Sequence, residues 1–304
     1  MELIKPDINL DFVGKIKTCI VISLTLILIG AIAVALNNGF KYGIDFSGGT
    51  LVQIRFEEAV NIIAIRDSLK AIDLENAIIQ RFGSAEDNEY IIRIKASTTD
   101  LRGLSEKIND ALTQNIGSLE VRRVEMVGPK VGKDLRRKAT YAIFFSFLGI
   151  LAYISFRFDY RFGIGAIIAI IHDVAITMGA ISVTGIELDL PIIAALLTIV
   201  GYSINDTIII YDRVRENQKR LKRERFDVVV NKSINQTLSR TILTSGTVIF
   251  VLGALYILGG EILKNFAFIL LVGIITGTYS SMYIASPVVI FWSGKFDKKR
   301  KKRR

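Results

Sequence analysis

The fold is decided by a run of twenty residues, PIIAALLTIVGYSINDTIII, at positions 191–210. The run is long and apolar enough to cross about 30 Å of lipid hydrocarbon as one helix, which takes roughly 20 residues. Five further runs share this character, and backbone groups inside lipid must be satisfied within a helix. The sequence therefore predicts an α-helical membrane protein with six transmembrane helices. We place them at residues 18–36, 139–156, 162–183, 191–210, 241–258 and 266–292.

The composition agrees with a membrane protein and excludes several other classes. Of the 304 residues, 51% are hydrophobic, so the chain can bury ample apolar surface and is not intrinsically disordered. Cys19 is the single cysteine and His172 the single histidine. An internal disulfide and the cysteine- or histidine-rich metal sites are therefore excluded. We expect no metal ion and no bound cofactor.

Lysine and arginine residues concentrate on one side of the predicted helices. They are frequent in four segments, which are residues 1–17, 157–161, 212–240 and 293–304. Because basic residues mark the cytoplasmic side, we expect both termini in the cytoplasm and the chain in the inner (cytoplasmic) membrane. A basic cluster at residues 133–138 disagrees, but it ends a long loop, and long loops count weakly in this rule.

The basic tail, residues 293–304, follows directly on the last predicted helix. Such a run can bind nucleic acid, but anionic membrane lipids are its nearest partner here. We interpret the tail as a topology anchor and expect no nucleic-acid partner, and a ribosome contact stays open. The first apolar run, residues 18–36, exceeds the length of a signal-peptide core, which favours an uncleaved anchor.

Residues 40–133 interrupt the apolar pattern and predict one small extracytoplasmic domain. Its periodicity predicts the order strand, helix, strand, strand, helix, strand, which is typical of a ferredoxin-like α+β fold. We place the strands at residues 51–56, 77–82, 89–95 and 119–127. The domain carries no catalytic cluster, so we expect a docking or mechanical role.

Two local features of this domain are predicted as well. The alternation of the last strand slips by one residue at Arg122 and Arg123, which indicates a β-bulge. Thr98, Thr99 or Asp100 is expected to cap the second helix.

The stretch GIDFSGGT, residues 43–50, joins the first helix to this domain. A phosphate-binding loop would carry Lys-Ser/Thr after its last glycine, and this stretch does not. The glycines more simply allow positive φ where the chain turns into a strand.

Ionisable residues inside the predicted helices are the candidates for function. Asp173 follows His172 in the third helix, Asp206 lies in the fourth, and Arg240 begins the fifth. A charge there costs about 2.5–3.5 kcal/mol on insertion scales and is a functional hypothesis by default. The fourth helix runs inward and the fifth runs outward, so Asp206 and Arg240 are expected at similar depth, where an ion pair is plausible.

Such a pair suits proton transport. A buried aspartate keeps its charge beside an arginine and favours the protonated form without one. A static pair that fixes helix packing is the alternative, and the chemistry leaves both open. For His172 and Asp173 the sequence favours a structural role, because adjacent helical residues point about 100° apart and should not easily bond each other.

Two aspartates on neighbouring helices would also suit an intramembrane aspartyl protease. Asp206 lacks the Gly-x-Gly-Asp pattern of that chemistry, and no tyrosine precedes Asp173. One histidine leaves no Ser–His or HExxH alternative. We therefore predict that the chain is not an enzyme.

Several motifs resemble the SecF-type subunits of the SecD/SecF family of bacterial protein export. GIDFSGG at residues 43–49 resembles the family's Gly-x-Asp-Phe-x-Gly-Gly signature. GYSINDT at 201–207, followed by YDRVREN at 211–217, resembles its fourth-helix signature. Residues 239–241 and the pair His172–Asp173 resemble its fifth-helix and third-helix motifs. The resemblance covers nearly the whole chain.

The resemblance implies a proton-driven transporter of the resistance–nodulation–division superfamily. Such a subunit pairs with SecD, works with the SecYEG channel and couples proton flow to an outer domain that draws the translocating preprotein outward. Asp206 would carry the proton and Arg240 would switch its state. The secondary candidates are His172, Asp173, Asn205 and Asp45. The outer domain is expected to touch preprotein or SecD through apolar or strand-edge surface.

Two other functions remain open at this point. One is a small-molecule or lipid exporter of the same superfamily, although such transporters usually have much larger outer domains and about twelve transmembrane helices in one chain. A passive scaffold that holds a channel partner would need no mobile proton.

Overall fold

The computed structural model describes residues 9–83, 85–94 and 103–292. Within this part of the chain, six helices are long and apolar enough to cross a membrane. The helices in chain order are α1 (Ile16–Leu36), α2 (Ile44–Ser47), α3 (Ile62–Lys70), α4 (Leu104–Asn115), α5 (Pro129–Arg157), α6 (Tyr160–Thr184), α7 (Leu190–Arg220), α8 (Phe226–Leu258) and α9 (Glu261–Ser280). The predicted fold class, a six-helix membrane protein, is confirmed.

The contacts of the chain divide it into two compact units. The helical unit holds residues up to 41, residues 142–186 and residues from 191 onward. The sheet unit holds residues 42–141 and, from the connection between α6 and α7, residues 187–190. The basic tail, for which we predicted an anchoring role, lies outside the described residues.

Helices α7 and α8 extend well beyond their apolar runs. The segment between the fourth and fifth apolar runs, residues 211–240, is helical except for the short connection from α7 to α8. Asn217 is buried where the two helices meet, and its amide donates to Ser233 Oγ at 2.9 Å and Gln236 Oε1 at 2.8 Å. These bonds satisfy the side chain of Asn217, which lies beyond the apolar run by which the fourth helix was predicted.

Helices α1 and α6 cross at two glycines. A Cβ atom added to Gly30 would lie 2.7 Å from the Cα atom of Gly179, closer than such atoms ever pack. The absence of both side chains therefore lets the two helix backbones touch and fixes α6 against α1.

The sheet unit has four antiparallel strands, β1 (Gly49–Phe56), β2 (Ile78–Phe82), β3 (Glu89–Ile94) and β4 (Leu119–Val127), in the order β2-β3-β1-β4. Val52, Ile54 and Phe56 alternate along β1 into a core that α3 and α4 complete. With the element order βαββαβ, this topology is the predicted ferredoxin-like fold.

The predicted β-bulge is confirmed in β4. Gln53 pairs with Arg123, whereas the next residue, Ile54, pairs with Val121, so Arg122 is left unpaired. The predicted capping residues of α4, Thr98–Asp100, lie outside the described residues. The residue at the N-cap of α4 is Gly103, with φ of +84°.

Candidate functional site in the helical bundle

Asp206 lies in the middle of α7 and is 1% exposed. Its Oδ2 atom accepts one long hydrogen bond, from Ser245 Oγ of α8 at 3.3 Å. Its Oδ1 atom has no hydrogen-bond partner among the described residues. Ser245 also shares a hydrogen bond of 2.8 Å with Thr278 of α9. The carboxyl group is thus enclosed but poorly satisfied, which is costly for a polar group in a protein interior.

Arg240 lies on α8, close enough for its charge to act on Asp206. The side chain is exposed on the surface of this chain. It forms no ion pair within 4.0 Å with any described residue. The ion pair that the topology made plausible is therefore absent as a direct contact. Ser245, five residues further along α8, takes the position facing Asp206.

His172 and Asp173 contact each other directly, contrary to expectation. His172 Nδ1 lies 2.9 Å from Asp173 Oδ1, and both side chains are buried. The expectation was wrong because it compared only the directions of the Cα–Cβ bonds. The side-chain torsions of both residues also decide whether their end atoms meet.

Asp173 is satisfied by two further helices. Its Oδ2 atom accepts from Ser203 Oγ of α7 at 2.6 Å and from Ser280 Oγ of α9 at 2.8 Å. Ser203, Ser280 and Ser245 were not among the residues predicted from the sequence. A signal existed for Ser203, which precedes Asp206 by three residues and therefore lies on the same side of α7.

Asn205 is not part of the buried cluster. Its side chain is exposed on α7, as is Gly201 one turn earlier, although Asp206 next to it is buried. An amide on the outer surface of a membrane helix cannot be hydrogen-bonded by lipid tails. The face that carries Asn205 therefore suits a protein neighbour better than lipid.

Asp45 lies in α2 of the sheet unit, far along the chain from the buried carboxyls. Its Oδ2 atom accepts from the backbone N–H of Leu190, the first residue of α7, at 2.9 Å. The N–H of Gly43 donates to Leu188 O at 2.8 Å. Asp45 thus satisfies one of the free N–H groups at the start of α7. This role is structural and differs from that of Asp206.

The glycines of the same stretch allow the tight geometry that the sequence predicted. Gly48 and Gly49 have φ of +72° and +138°. A Cβ atom at Gly48 would lie 2.8 Å from the Cα atom of Pro129, where α5 begins. The stretch therefore packs against the start of α5 as well as the 187–190 connection.

Arg93 of β3 completes this junction. Its guanidinium forms a partly buried ion pair with Glu187 of the α6–α7 connection. Burial lowers the pKa of Arg93, and the nearby charge of Asp189 raises it in opposition. The sheet and residues 187–190 are thus held together by charge as well as by backbone hydrogen bonds.

The described residues contain no group of three or more His, Cys, Asp or Glu side chains placed to hold a metal ion. The two buried carboxyls of the bundle, Asp173 and Asp206, are hydrogen-bonded to serines, and Asp173 also faces one histidine.

Comparison with known families finds two matching segments of the chain. Residues 107–295 match the profile of the C-terminal region of SecD/SecF protein-export membrane proteins. Residues 34–60 match the SecD/SecF GG motif, which includes Asp45 and Gly48.

Individual proteins and structures agree with these matches. The chain is 42% identical to the protein translocase subunit SecF of Desulfurispirillum indicum, over 96% of this chain and 92% of that protein. It is 44% identical to the SecF subunit of Calditerrivibrio nitroreducens, over 95% and 96%. A crystal structure of SecDF from Thermus thermophilus, described as a translocon-associated membrane protein, superposes with a TM-score of 0.86 at 39% identity.

This superposition covers 96% of the present chain but only 40% of the SecDF chain. The chain therefore spans less than half of the SecDF chain, whereas it covers 92% and 96% of the two SecF subunits. The chain belongs to the SecD/SecF family of protein-export membrane proteins, as a multi-pass relative of the SecF translocase subunits.

Proposed function

We propose that this chain, together with SecD, uses the proton gradient to promote preprotein translocation through the SecYEG channel. The observation that carries the proposal is the state of Asp206, an ionisable group sealed in a membrane helix with one oxygen unpartnered among the described residues. Most buried polar atoms in native structures have a hydrogen-bond partner, so an unpartnered buried carboxyl oxygen calls for an explanation. One that exchanges a proton must be tolerable both with and without its charge.

The energy available to such a group is sufficient for a conformational change. Moving one elementary charge across 100 mV is worth about 2.3 kcal/mol. Allosteric couplings are typically about 1–3 kcal/mol. One proton per cycle at Asp206 can therefore bias two conformations of the bundle.

Arg240 is proposed as the group that switches Asp206. Its charge lies near Asp206, and no ion pair with a described residue holds its guanidinium in place. A closer approach would stabilise the ionised carboxylate, and withdrawal would favour protonation. Arg240 and Asn205 are both exposed on this isolated chain. We therefore propose that SecD contacts the outer surface of the bundle at these two residues.

The junction at Asp45 offers a route from the bundle to the sheet unit. Asp45 and Gly43 bond the 187–190 connection, and Arg93 of the sheet pairs with Glu187. From Leu190 the chain continues as α7, which carries Asp206 sixteen residues later. A shift at the start of α7 would therefore act on the residues of the sheet unit that bond the 187–190 connection.

The sheet unit is proposed to contact the unfolded preprotein. Strand β4 is at one edge of the sheet, and its Val124 and Met126 side chains are exposed. An extended polypeptide can add to such an edge through backbone hydrogen bonds. SecD remains the alternative occupant of this edge.

The proposed location is the inner membrane, with both termini in the cytoplasm and the sheet unit outside. The support is the distribution of lysine and arginine along the sequence. In this orientation the basic tail meets the anionic cytoplasmic lipids.

The proposal is tested by export of a preprotein into membrane vesicles that contain this chain, SecD and SecYEG, with and without a proton gradient. We expect Asp206→Asn to co-purify with SecD normally and to lose the stimulation by the gradient. The matched control is Asp159→Asn, since Asp159 is 46% exposed at the start of α6. It should export like wild type.

The same experiment separates the other functions. Full gradient stimulation in Asp206→Asn would leave the scaffold function. Gradient-driven release of small molecules or lipids, with no effect on preprotein, would support an exporter.

A further inference from the structure

The second buried carboxyl of the bundle, Asp173, is built differently from Asp206. It is completely buried, and its two oxygens are engaged by three side chains from three helices. Ser203 and Ser280 donate to Oδ2, and Oδ1 faces His172 Nδ1. Among the described residues no lysine or arginine pairs with Asp173, so the histidine is its only possible cationic partner.

His172 has one ring nitrogen engaged and one free. Its Nδ1 atom faces Asp173, whereas its Nε2 atom is buried without a hydrogen-bond partner among the described residues. When Asp173 is ionised its carboxylate only accepts hydrogen bonds, so Nδ1 carries the hydrogen, and in the neutral imidazole Nε2 then presents a lone pair. The ring lies near-parallel to Tyr279, with centroids 6.1 Å apart. This fixes the plane in which Nε2 can accept a proton.

The backbone of α9 is irregular at the same place. Residues Ser281–Ala285 form a π-helical turn directly after Ser280. Ser286 Oγ donates to Ser281 O at 3.0 Å and supports the widened turn. Ser280 and Ser281 are both fully buried, Ser280 on Asp173 and Ser281 on Thr207 of α7. Single π-turns in helices are frequent at functional sites.

We propose that His172 and Asp173 form a second proton-binding site of the bundle, in which the imidazole takes up a proton at Nε2 and delivers one from Nδ1 to Asp173. The inference deepens the proposed proton-coupled function and rests on it. It replaces the purely structural role that the sequence favoured for this pair.

The proposed proton transfer conserves atoms and charge. A hydronium ion or protonated water chain donates to Nε2, and an N–H bond forms there. The Nδ1–H bond breaks, and an O–H bond forms at Asp173 Oδ1. The histidine stays neutral in its other tautomer, and the pair changes from a net charge of −1 to zero. Ser203 and Ser280 stabilise the charge on Oδ2 whenever the proton leaves.

The titratable groups around the pair come from three neighbouring helices. Asp206 lies one turn from Ser203 on α7, and Tyr279 lies on α9. On α1, the backbone oxygen of Cys19 accepts from the Tyr279 hydroxyl. A change of charge at Asp173 therefore reaches the turn of α7 that carries Asp206, through Ser203.

Infrared difference spectroscopy of the lipid-embedded complex with SecD tests the site without relying on export. The readout is the C=O stretch of protonated carboxyl groups during a pH titration. We expect the Asp206→Asn complex to retain a band from a buried acid, and the Asp206→Asn/Asp173→Asn complex to lose it. Identical titrations of these two complexes would overturn the inference.

Two further variants keep the test valid if Asp173→Asn folds poorly. Ser203→Ala removes one hydrogen bond to Asp173 and should shift its band to higher frequency. His172→Phe keeps an aromatic ring but removes both nitrogens. It should slow proton uptake after a pH jump about a hundredfold, the lower end of the effect of a positioned proton-transfer group. An unshifted band in Ser203→Ala, or an unchanged uptake rate in His172→Phe, would contradict the relay.

The two proposals can fail separately. If Asp206→Asn exports normally while the Asp173 band titrates, the second site stands and the proposed function fails. If Asp206→Asn blocks gradient-driven export but the Asp173 band never appears, the function stands and the second site fails.

Discussion

Asp173 and Asp206 are the same residue type at similar burial in one helical bundle, yet their surroundings are opposite. Asp173 has partners on both oxygens at 2.6–2.9 Å. Asp206 has one contact at 3.3 Å and one oxygen without a partner among the described residues. One site is saturated with hydrogen bonds, and the other is nearly empty.

The two kinds of surroundings suit two different roles in proton transfer, a relay and a switch. A saturated site holds its geometry in either protonation state and suits a relay. A poorly satisfied site changes its interactions strongly with charge, because a charged group nearby decides its state. We therefore propose Asp206 as the conformational switch and Asp173 as the fixed relay.

The largest expected effect separates the two sites by stability. Asp173→Leu leaves His172, Ser203 and Ser280 without their shared acceptor and should destabilise the bundle by about 3–5 kcal/mol, as when one partner of a buried polar network is removed. Asp206→Leu removes an unsatisfied oxygen and leaves Ser245 bonded to Thr278, so its stability should change by less than about 1 kcal/mol. Unfolding of the two variants in the same detergent gives the comparison directly.

Equal destabilisation by the two leucine variants would show that the hydrogen-bond difference does not reflect different energetic roles. Both variants make the same substitution, so a difference between them reflects the surroundings of the two carboxyls rather than a difference in side-chain volume.

A smaller effect is expected from the switching group. Arg240→Gln should reduce proton-gradient stimulation of export about 30-fold, which corresponds to about 2 kcal/mol of coupling. Arg240→Lys should retain part of it, because the charge remains. Lys232→Gln, an exposed neutral substitution on the same helix, is the control. Wild-type stimulation in Arg240→Gln would remove Arg240 from the mechanism.

Ser245 donates the one hydrogen bond that Asp206 accepts from a described residue. Removing its hydroxyl should have the next largest effect. Ser245→Ala should change the rate of proton flux about tenfold, since a hydrogen bond to a charged group is worth roughly 1.5–3 kcal/mol. Thr247→Val removes an exposed hydroxyl two residues later and should have no effect. Equal flux in both variants would show that the 3.3 Å contact is incidental.

The smallest effect concerns the junction that we propose as the route to the sheet unit. Asp45→Ala removes a side-chain acceptor from the start of α7, and capping groups of this kind contribute about 1 kcal/mol. Hydrogen exchange should rise at Leu190 and the first turn of α7. Asp67→Ala, on the surface of α3, is the matched control. Unchanged exchange at Leu190 would mean that Asp45 does not fix this helix end.

The sequence predicted the elements of the fold because their signals are local. Apolar runs of about 20 residues indicate membrane helices, and alternation along Val52, Ile54 and Phe56 indicates a strand with one buried face. The bulge at Arg122 was visible as a slip in the alternation of the last strand, residues 119–127. None of these inferences needed to know which elements touch.

The partners in the site could not be predicted because they depend on helix packing. Ser203, Ser245 and Ser280 come from three helices. Only Ser203, three residues before Asp206, had a local signal in the sequence, and that signal did not identify Asp173 as its partner. The His172–Asp173 contact was missed because the side-chain conformation, not the residue spacing, decides it. The exposed position of Arg240 likewise follows from how α8 is rotated in the bundle.

The central claim is that Asp206 carries the transported proton, and direct proton flux tests it most directly. Sealed vesicles containing this chain with SecD are loaded with a pH-sensitive dye and given an imposed proton gradient, with wild type, Asp206→Asn and Asp159→Asn side by side. We predict that Asp206→Asn falls to the rate of empty vesicles while Asp159→Asn keeps the wild-type rate. Wild-type flux through Asp206→Asn would contradict the account.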